Sequence, residues 1–201
     1  MNAVVLVPVK AFRDAKARLA SVLDDARREQ LARWTAARVL AAAGELPTFV
    51  ACDDADVAEW ATDHGATVLW HPGVGLNAAV NDSVAELRDS GVTDVVVAHG
   101  DLARAHSLAG LTEPGTVTLV PDRHDDGTNV VALPTDLPFS FAYGPGSFRR
   151  HLQATIAAGH TVRVRRDVLL AVDIDTPSDL AHPLVQEVVP SWLKTSPANH
   201  R

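Results

Sequence analysis

Short apolar runs alternate along the chain with longer segments in which apolar residues recur at helical spacing. The first run, residues 3–9, is an almost unbroken series of Val, Leu and Ala, which is typical of a strand buried on both faces of a sheet. Strands that alternate with helices form βαβ units, in which the strands pair in parallel. The pattern therefore predicts an α/β fold with a mostly parallel central sheet, helices on both faces, and residues 3–9 as the central strand.

Capping residues set the bounds of the other predicted elements. Asp24 or Asp25 can cap a first helix that runs to about residue 43, and Gly44, Gly65 and Gly91 follow the ends of three helices. Further helices are predicted over residues 56–64, 77–89 and 147–158. Further strands are predicted over residues 48–52, 67–70, 94–98, 116–120, 129–133, 161–165 and 169–172.

Composition narrows the class of protein. The 201 residues, 47% of them hydrophobic and 21% charged, suit one globular domain spanning residues 1–201. A net charge of −7 and the lack of a long Lys/Arg run argue against a nucleic-acid partner. The single cysteine, Cys52, cannot form an internal disulfide, and no apolar run reaches the roughly 20 residues of a membrane helix. We therefore expect a cytoplasmic protein with no membrane partner.

A cluster of cations follows the first strand. Lys10, Arg13, Lys16 and Arg18 lie shortly after Pro8, at the carboxyl end of the strand, where ligands of parallel sheets bind. Lys and Arg side chains lower the cost of collecting the negative charges of a triphosphate. The alternative interpretation is a solvated loop with scattered cations.

Two carboxylate motifs also follow predicted strands. Asp101 comes after the apolar run 95–98, and Asp173 and Asp175 come after the predicted strand 169–172. Acidic side chains brought together beside a triphosphate would repel each other unless a hard cation such as Mg²⁺ lay between them. Taken singly, each Asp could instead cap a turn or a helix, as Asp175 could before Thr176 and Pro177.

Two glycine-containing segments predict further binding groups. Thr128 and Ser147, with Gly144 close by, offer hydroxyls and helix-opening amides that can hold a phosphorylated acceptor, although Ser147 could be an ordinary helix cap. Gly75 precedes another predicted helix, and Asn77 could cap that helix or bind the edge of a nucleobase. The nine histidines lack close ligand spacing, so we interpret them mostly as surface or core residues.

The order of these segments indicates a family. With them in this order, the sequence resembles the guanylyltransferases that make the phospholactyl or phosphoenolpyruvyl guanosine diphosphate intermediate of coenzyme F-420 biosynthesis. The matching segments are Val7-Pro8-Val9-Lys10, Lys16-Ala17-Arg18-Leu19, Gly75-Leu76-Asn77, Asp101-Leu102, Pro121-Asp122-Arg123, Gly127-Thr128-Asn129, Tyr143-Gly144-Pro145-Gly146-Ser147-Phe148 with His151, and Asp173-Ile174-Asp175-Thr176-Pro177.

The resemblance implies a nucleotide-diphospho-sugar transferase-like, Rossmann-like fold, GTP and Mg²⁺ as requirements, and an acceptor with a phosphate beside a carboxylate. It also implies residue roles, with Lys10, Lys16 and Asp101 as the catalytic residues. By similarity, GTP is bound by Pro8, Lys10, Lys16, Arg18, Gly75 and Asn77, the acceptor by Thr128, Gly144 and Ser147, and the metal by Asp101 with Asp173 or Asp175. One departure is Ala103, which stands where the family usually has Pro; a more flexible loop there could misplace Asp101.

The reaction implied is direct attack by an acceptor phosphate oxygen on the α-phosphorus of GTP, with release of pyrophosphate and no covalent enzyme intermediate. Phosphoenolpyruvate is the favoured acceptor, while 2-phospho-L-lactate and 3-phosphoglycerate stay open. The alternatives are a related transferase with another nucleotide or a sugar phosphate, and a non-catalytic nucleotide-binding protein. An apolar tail containing Val185, Val188, Val189 and Trp192 could cover a second copy, forming a homodimer, or the chain's own core.

Overall fold

Seven strands form one sheet in the computed structural model, which describes residues 2–194. The strands are β1 (Ala3–Pro8), β2 (Thr48–Cys52), β3 (Thr67–Trp70), β4 (Asp94–Ala98), β5 (Thr116–Pro121), β6 (Thr128–Pro134) and β7 (Thr161–Val164). Their order across the sheet is β3-β2-β1-β4-β6-β5-β7. The expected domain span, 1–201, includes residue 1 and residues 195–201, which lie outside the described residues.

The sheet is mostly parallel, as the sequence predicts. β1 pairs in parallel with β2 and β4, β2 with β3, and β5 with β7, whereas β6 runs antiparallel to both of its neighbours. The prediction that the first strand is central is wrong by one position, because β4 occupies the middle of the sheet. The carboxyl ends of β1 and β4 therefore lie side by side.

The helices are α1 (Asp25–Ala41), α2 (Ala55–Asp63), α3 (Gly75–Asp89), α4 (Ser147–Ala157), α5 (Pro177–Leu180) and α6 (Pro183–Gln186). Three short 3₁₀ turns cover Phe12–Asp14, Ala17–Leu19 and Ser191–Leu193. Asp24 caps α1 by accepting a hydrogen bond from the Arg27 amide, which settles the choice between Asp24 and Asp25. None of the helices within residues 2–194 is long and apolar enough to cross a membrane.

Helices cover both faces of the sheet, as predicted. Val5 and Val7 of β1 pack in one apolar cluster with residues of α1 and α2. Val4 and Leu6, whose side chains point the other way, pack with residues of α3 and α4. Burial on both faces explains why β1 is an unbroken apolar run.

A third apolar cluster contains the tail of the chain. Val185 and Val189 are buried there beside Leu19 and Leu31, and Val188 and Trp192 pack against the same cluster. Of the two roles predicted for this apolar tail, the structure shows cover for the chain's own core. The homodimer stays a prediction.

Two predicted elements differ in the structure. Residues 168–171 form a turn where the sequence predicts a strand over 169–172, because the Asp167 carboxylate accepts hydrogen bonds of 3.1 Å from the amides of both Leu169 and Leu170. The apolar pattern of this segment reflects burial, since Leu170 and Val172 are both buried. The second difference is that α3 begins at Gly75, two residues early, so that Asn77 lies inside the helix and does not cap it.

Candidate active site

Three adjoining cavities lie at the carboxyl ends of β1 and β4. Two of them, of about 300 and 220 Å³, share Pro8, Lys10 and Leu76 as lining residues. The third, of about 600 Å³, lies on the side of β6 and α4. Asp101 and Asp175 line both the 300 Å³ and the 600 Å³ cavities, so these carboxylates stand at the junction between them.

The chain segments that carry the carboxylates are joined through their backbones. Leu102 and Asp173 form an isolated antiparallel bridge, and the Ile174 amide donates a 3.2 Å hydrogen bond to the Asp101 carbonyl oxygen. One carboxylate oxygen from each of Asp101, Asp173 and Asp175 lies within 4.8 Å of the others. The predicted convergence is therefore observed, although it arises from this bridge and not from two strand ends.

Lys16 neutralises two of the three carboxylates. Its Nζ lies 2.9 Å from Asp101 Oδ2 and 3.0 Å from Asp175 Oδ1, and only 7% of its side chain is exposed. Burial lowers the pKa of Lys16, but the nearby charges of Asp101 and Asp175 outweigh burial and hold this pKa above its ordinary value. The backbone of Lys16 has a φ of 58°, in the left-handed region that residues other than glycine rarely adopt.

The third carboxylate, Asp173, is affected by the negative charges of the other two. Burial, together with the charges of Asp101 and Asp175, raises the pKa of Asp173 to about 7. Asp175 is not the cap of α5, because Thr176 takes that position in a capping box with Asp179. The side chain of Asp175 is thus left to face the cluster.

The carboxylate cluster fits a metal ion. Asp101 Oδ1 is buried and has no hydrogen-bond partner among the described residues, which is costly for a carboxylate oxygen unless a cation is close. Three carboxylates are the donor set that hard divalent cations prefer. Asp101, Asp173 and Asp175 could therefore hold a divalent metal ion.

Hydroxyl groups and a glycine line the third cavity. Thr128, Gly144 and Ser147 all lie along its wall, as the sequence predicts for one binding surface. Ser147 Oγ accepts a 3.0 Å hydrogen bond from the Thr128 amide, and Gly146 occupies the N-cap of α4, so Ser147 is not a helix cap. Gly144 has a φ of 120°, which a side chain would make unfavourable.

Two asparagines of α3 hold the segment before Gly144. Tyr143 donates its amide to Asn77 Oδ1 at 2.7 Å, and Asn77 Nδ2 donates to the Tyr143 carbonyl oxygen at 3.3 Å. Asn81, one helical turn later, makes the same pair of bonds with Phe141 at 3.1 and 3.2 Å. Both groups of the Asn77 amide are thus bonded to the chain. The spacing of Asn77 and Asn81 is the signal that could have revealed this role.

The four predicted cations lie in different parts of the structure. Lys10 is exposed and, with Pro8 and Gly75, lines the smallest of the three cavities, while Arg18 lines the 600 Å³ cavity on the other side. Arg13 pairs at 2.5 Å with Asp54, the residue that caps α2. The four cations therefore do not form one cluster.

The loop after Asp101 is well held despite Ala103. Leu102 and Ala103 are fully buried, and Arg38 Nε donates a 2.7 Å hydrogen bond to the Ala103 carbonyl oxygen. Asp101 lies within the carboxylate cluster, so the structure does not show the displacement that Ala103 could cause.

Sequence comparisons place the chain among guanylyl transferases. The model of the family described as "Guanylyl transferase CofC like" matches residues 3–187. The phosphoenolpyruvate guanylyltransferase of Rubrobacter xylanophilus is 38% identical over 192 residues, which are 90% of this chain and 93% of that protein. The enzyme of the same name from Sphaerobacter thermophilus is 35% identical over 190 residues, with coverages of 90% and 91%.

Solved structures support the fold. A protein from Desulfovibrio desulfuricans, assigned as a nucleotide-diphospho-sugar transferase, superposes with a TM-score of 0.69 over 89% of this chain and 84% of that one, at 17% identity. CMP:2-keto-3-deoxy-manno-octonic acid synthetase superposes with a TM-score of 0.55 over 90% and 96%, at 16% identity. The fold is thus of the nucleotide-diphospho-sugar transferase type.

Proposed function

The chain belongs to the Guanylyl transferase CofC like family, and from that premise we propose that this nucleotidyltransferase moves the GMP unit of GTP onto phosphoenolpyruvate in coenzyme F-420 biosynthesis. One phosphate oxygen of the acceptor attacks the α-phosphorus of GTP. The new P–O bond forms as the bond to the β-phosphate oxygen breaks, and the electron pair leaves with pyrophosphate. An ionised phosphate oxygen needs no strong base, so positioning and charge neutralisation do most of the work.

The triphosphate lies, in this proposal, along the two smaller cavities. Pro8, Lys10 and Gly75 line them, and Lys16 stands at their boundary with the acceptor side. Lys10 and Lys16 contribute positive charge close to where the pyrophosphate leaves. Asn77 serves this site indirectly, because its amide holds Tyr143.

The acceptor lies in the 600 Å³ cavity. Thr128, Gly144 and Ser147 offer hydroxyls and backbone amides to the anionic groups of the acceptor. Arg18, which the sequence assigned to GTP, lines the same cavity and supplies positive charge to the acceptor instead.

Asp101, Asp173 and Asp175 would hold Mg²⁺ in this proposal. When bound, Mg²⁺ polarises phosphate oxygens and offsets the charge that builds up at the α-phosphorus. The chain's part is to fix the three carboxylates through the Leu102–Asp173 bridge and to offer Asp101 Oδ1 without a competing partner among the described residues.

We also propose that residues 1–201 act as one nucleotidyltransferase domain. Residues brought together at the site come from β1, the segment after β4, β6 and the segment before α5, which are spread over most of the chain. The homodimer is an additional proposal that the oligomeric state in solution would test.

One observation carries the proposed function: Asp101 and Asp175, which would hold the metal, line both the cavity proposed for the nucleotide and the cavity proposed for the acceptor. A coupled pyrophosphate assay tests it, with each of the four nucleoside triphosphates against phosphoenolpyruvate, 2-phospho-L-lactate and 3-phosphoglycerate. We expect Mg²⁺-dependent release with GTP and phosphoenolpyruvate. Binding of GTP with no release for any acceptor would contradict the proposal.

A further inference from the structure

His151 lies directly behind Thr128, away from the cavity surface. The side chain is buried on α4, with an exposed fraction of 0%. Its Nε2 is 2.8 Å from the Ala142 amide nitrogen and its Nδ1 is 3.0 Å from Thr128 Oγ1. His151 therefore joins the segment before Gly144 to the hydroxyl of Thr128.

These two contacts define where the imidazole proton lies. The N–H group of a backbone amide can only donate, so Nε2 must accept this hydrogen bond and must carry a lone pair. A neutral imidazole with its lone pair on Nε2 has its hydrogen on Nδ1. The Nδ1–H group then donates to Thr128 Oγ1.

This direction leaves the Thr128 hydroxyl hydrogen free for another acceptor. Because Oγ1 accepts from His151, the Thr128 O–H group can donate toward the cavity that Thr128 lines. Ser147 is arranged in the same way, since its Oγ accepts from the Thr128 amide and its O–H is not spent on that bond. Both hydroxyls are thus turned into donors, which suits an anionic ligand.

We propose that His151 is a positioning residue for the acceptor: it holds the Thr128 hydroxyl as a hydrogen-bond donor toward the phosphate or carboxylate of the acceptor. The inference rests on the proposed acceptor role of Thr128. It adds a residue that touches neither substrate and acts through the hydroxyl of Thr128.

The surroundings of His151 keep it neutral. The rings of Phe139, Phe141 and Tyr143 lie around the imidazole at centroid distances of 5.4, 6.5 and 5.2 Å. Burial, followed by the charge of Arg150, lowers the pKa of His151 to about 4. A protonated imidazole would place an N–H group against the Ala142 amide, so these surroundings preserve the donor on Nδ1.

Kinetics of His151 variants test the inference. His151→Leu removes the donor, and we expect the KM for the acceptor to rise about tenfold, while the KM for GTP and kcat change by less than about twofold. His151→Asn, which keeps an amide donor, should restore much of the loss. Thr128→Val should raise the same KM, and the double variant His151→Leu/Thr128→Val should be no worse than Thr128→Val alone.

Additive effects in the double variant, or equal changes in both KM values, would overturn the inference. If the leucine variant does not fold, nitrogen-15 NMR of wild-type His151 decides: a hydrogen on Nδ1 is expected, and a hydrogen on Nε2 overturns the inference. A wild-type enzyme without guanylyltransferase activity would instead contradict the proposed function, so the two failures are distinguishable.

Discussion

On one side of the cleft Asp101 and Asp175 are held by the ammonium group of Lys16, whereas on the other side Thr128 and Ser147 are held by neutral hydrogen-bond partners. The first arrangement depends on a cation that another cation can replace. The second depends on a backbone amide and a buried imidazole, which have fixed directions. We therefore expect the carboxylate side to rearrange when metal and nucleotide bind, and the hydroxyl side to be ready before the acceptor arrives.

The largest effect is expected at the carboxylates. Asp101→Asn removes the charge that the metal shares with Asp173 and Asp175, and kcat should fall about 10³-fold or more. Thermal unfolding should still be cooperative, because Asp175 continues to pair with Lys16. Asp89→Asn, at an exposed carboxylate that pairs with its neighbour Arg88, is the matched control. Near-normal pyrophosphate release by Asp101→Asn would remove Asp101 from the metal site.

Lys16→Met should have the next largest effect, and it tests whether the carboxylate side depends on a cation that the metal can replace. Without the ammonium, Asp101 and Asp175 lose their buried partner, which should destabilise the metal-free protein by about 3 kcal/mol. Added Mg²⁺ should raise the Tm of this variant more than it raises that of the wild type, because the metal replaces the missing cation. Lys10→Met, at an exposed lysine, should leave the metal-free Tm unchanged. An equal rise in Tm on addition of Mg²⁺ in Lys16→Met and in the wild type would contradict the replacement of the Lys16 ammonium by the metal.

Ser147→Ala should have a smaller effect, confined to the hydroxyl side. It removes a donor toward the acceptor and leaves the Thr128 amide without its partner, so the KM for the acceptor should rise about tenfold. Ser90→Ala, at the far end of α3, serves as the control in the same steady-state assay. An effect on the KM for GTP alone would assign Ser147 to the nucleotide.

The smallest effect concerns pH. The pKa of His151 is lowered from 6.5 to about 4, so the unfolded chain binds more protons than the folded one in this window, and stability falls as pH falls from 6.5 toward 4. Between about pH 7.5 and pH 5.5 the loss due to His151 should be about 1 kcal/mol. Denaturant unfolding of wild type and His151→Asn at both pH values measures it. Parallel losses in the two proteins would show that His151 is not the source.

The first half of the fold was predictable because each element has its own local signal. The strands 48–52, 67–70 and 94–98 are apolar runs, and glycines follow the helices between them. The segment 169–172 misled the prediction because Leu170 and Val172 are as buried as strand residues, while Asp167 bends the backbone into a turn. An apolar pattern indicates that residues are buried, but it does not show that their backbone is extended.

The candidate site was predictable in its residues more than in its contacts. The proximity of Asp101 to Asp173 and Asp175 was predicted from two strand ends, whereas it arises from the Leu102–Asp173 bridge. The pairing of Lys16 with Asp101 and Asp175 has no such signal in the sequence, and Lys16 has a left-handed backbone. The role of His151 was missed, because the rings of Phe139, Phe141 and Tyr143 that surround it come from a separate segment, and their alternate spacing does not show which residue they enclose.

The central claim is that the three carboxylates share one divalent cation with the triphosphate. A crystal structure with GTP and Mn²⁺ in place of Mg²⁺ tests it most directly, through the anomalous scattering of the metal. We predict a peak at coordination distance from Asp101 and from Asp173 or Asp175, with Lys16 Nζ moved onto a phosphate. A peak bound to phosphate oxygens alone, with Lys16 still between Asp101 and Asp175, would contradict the account.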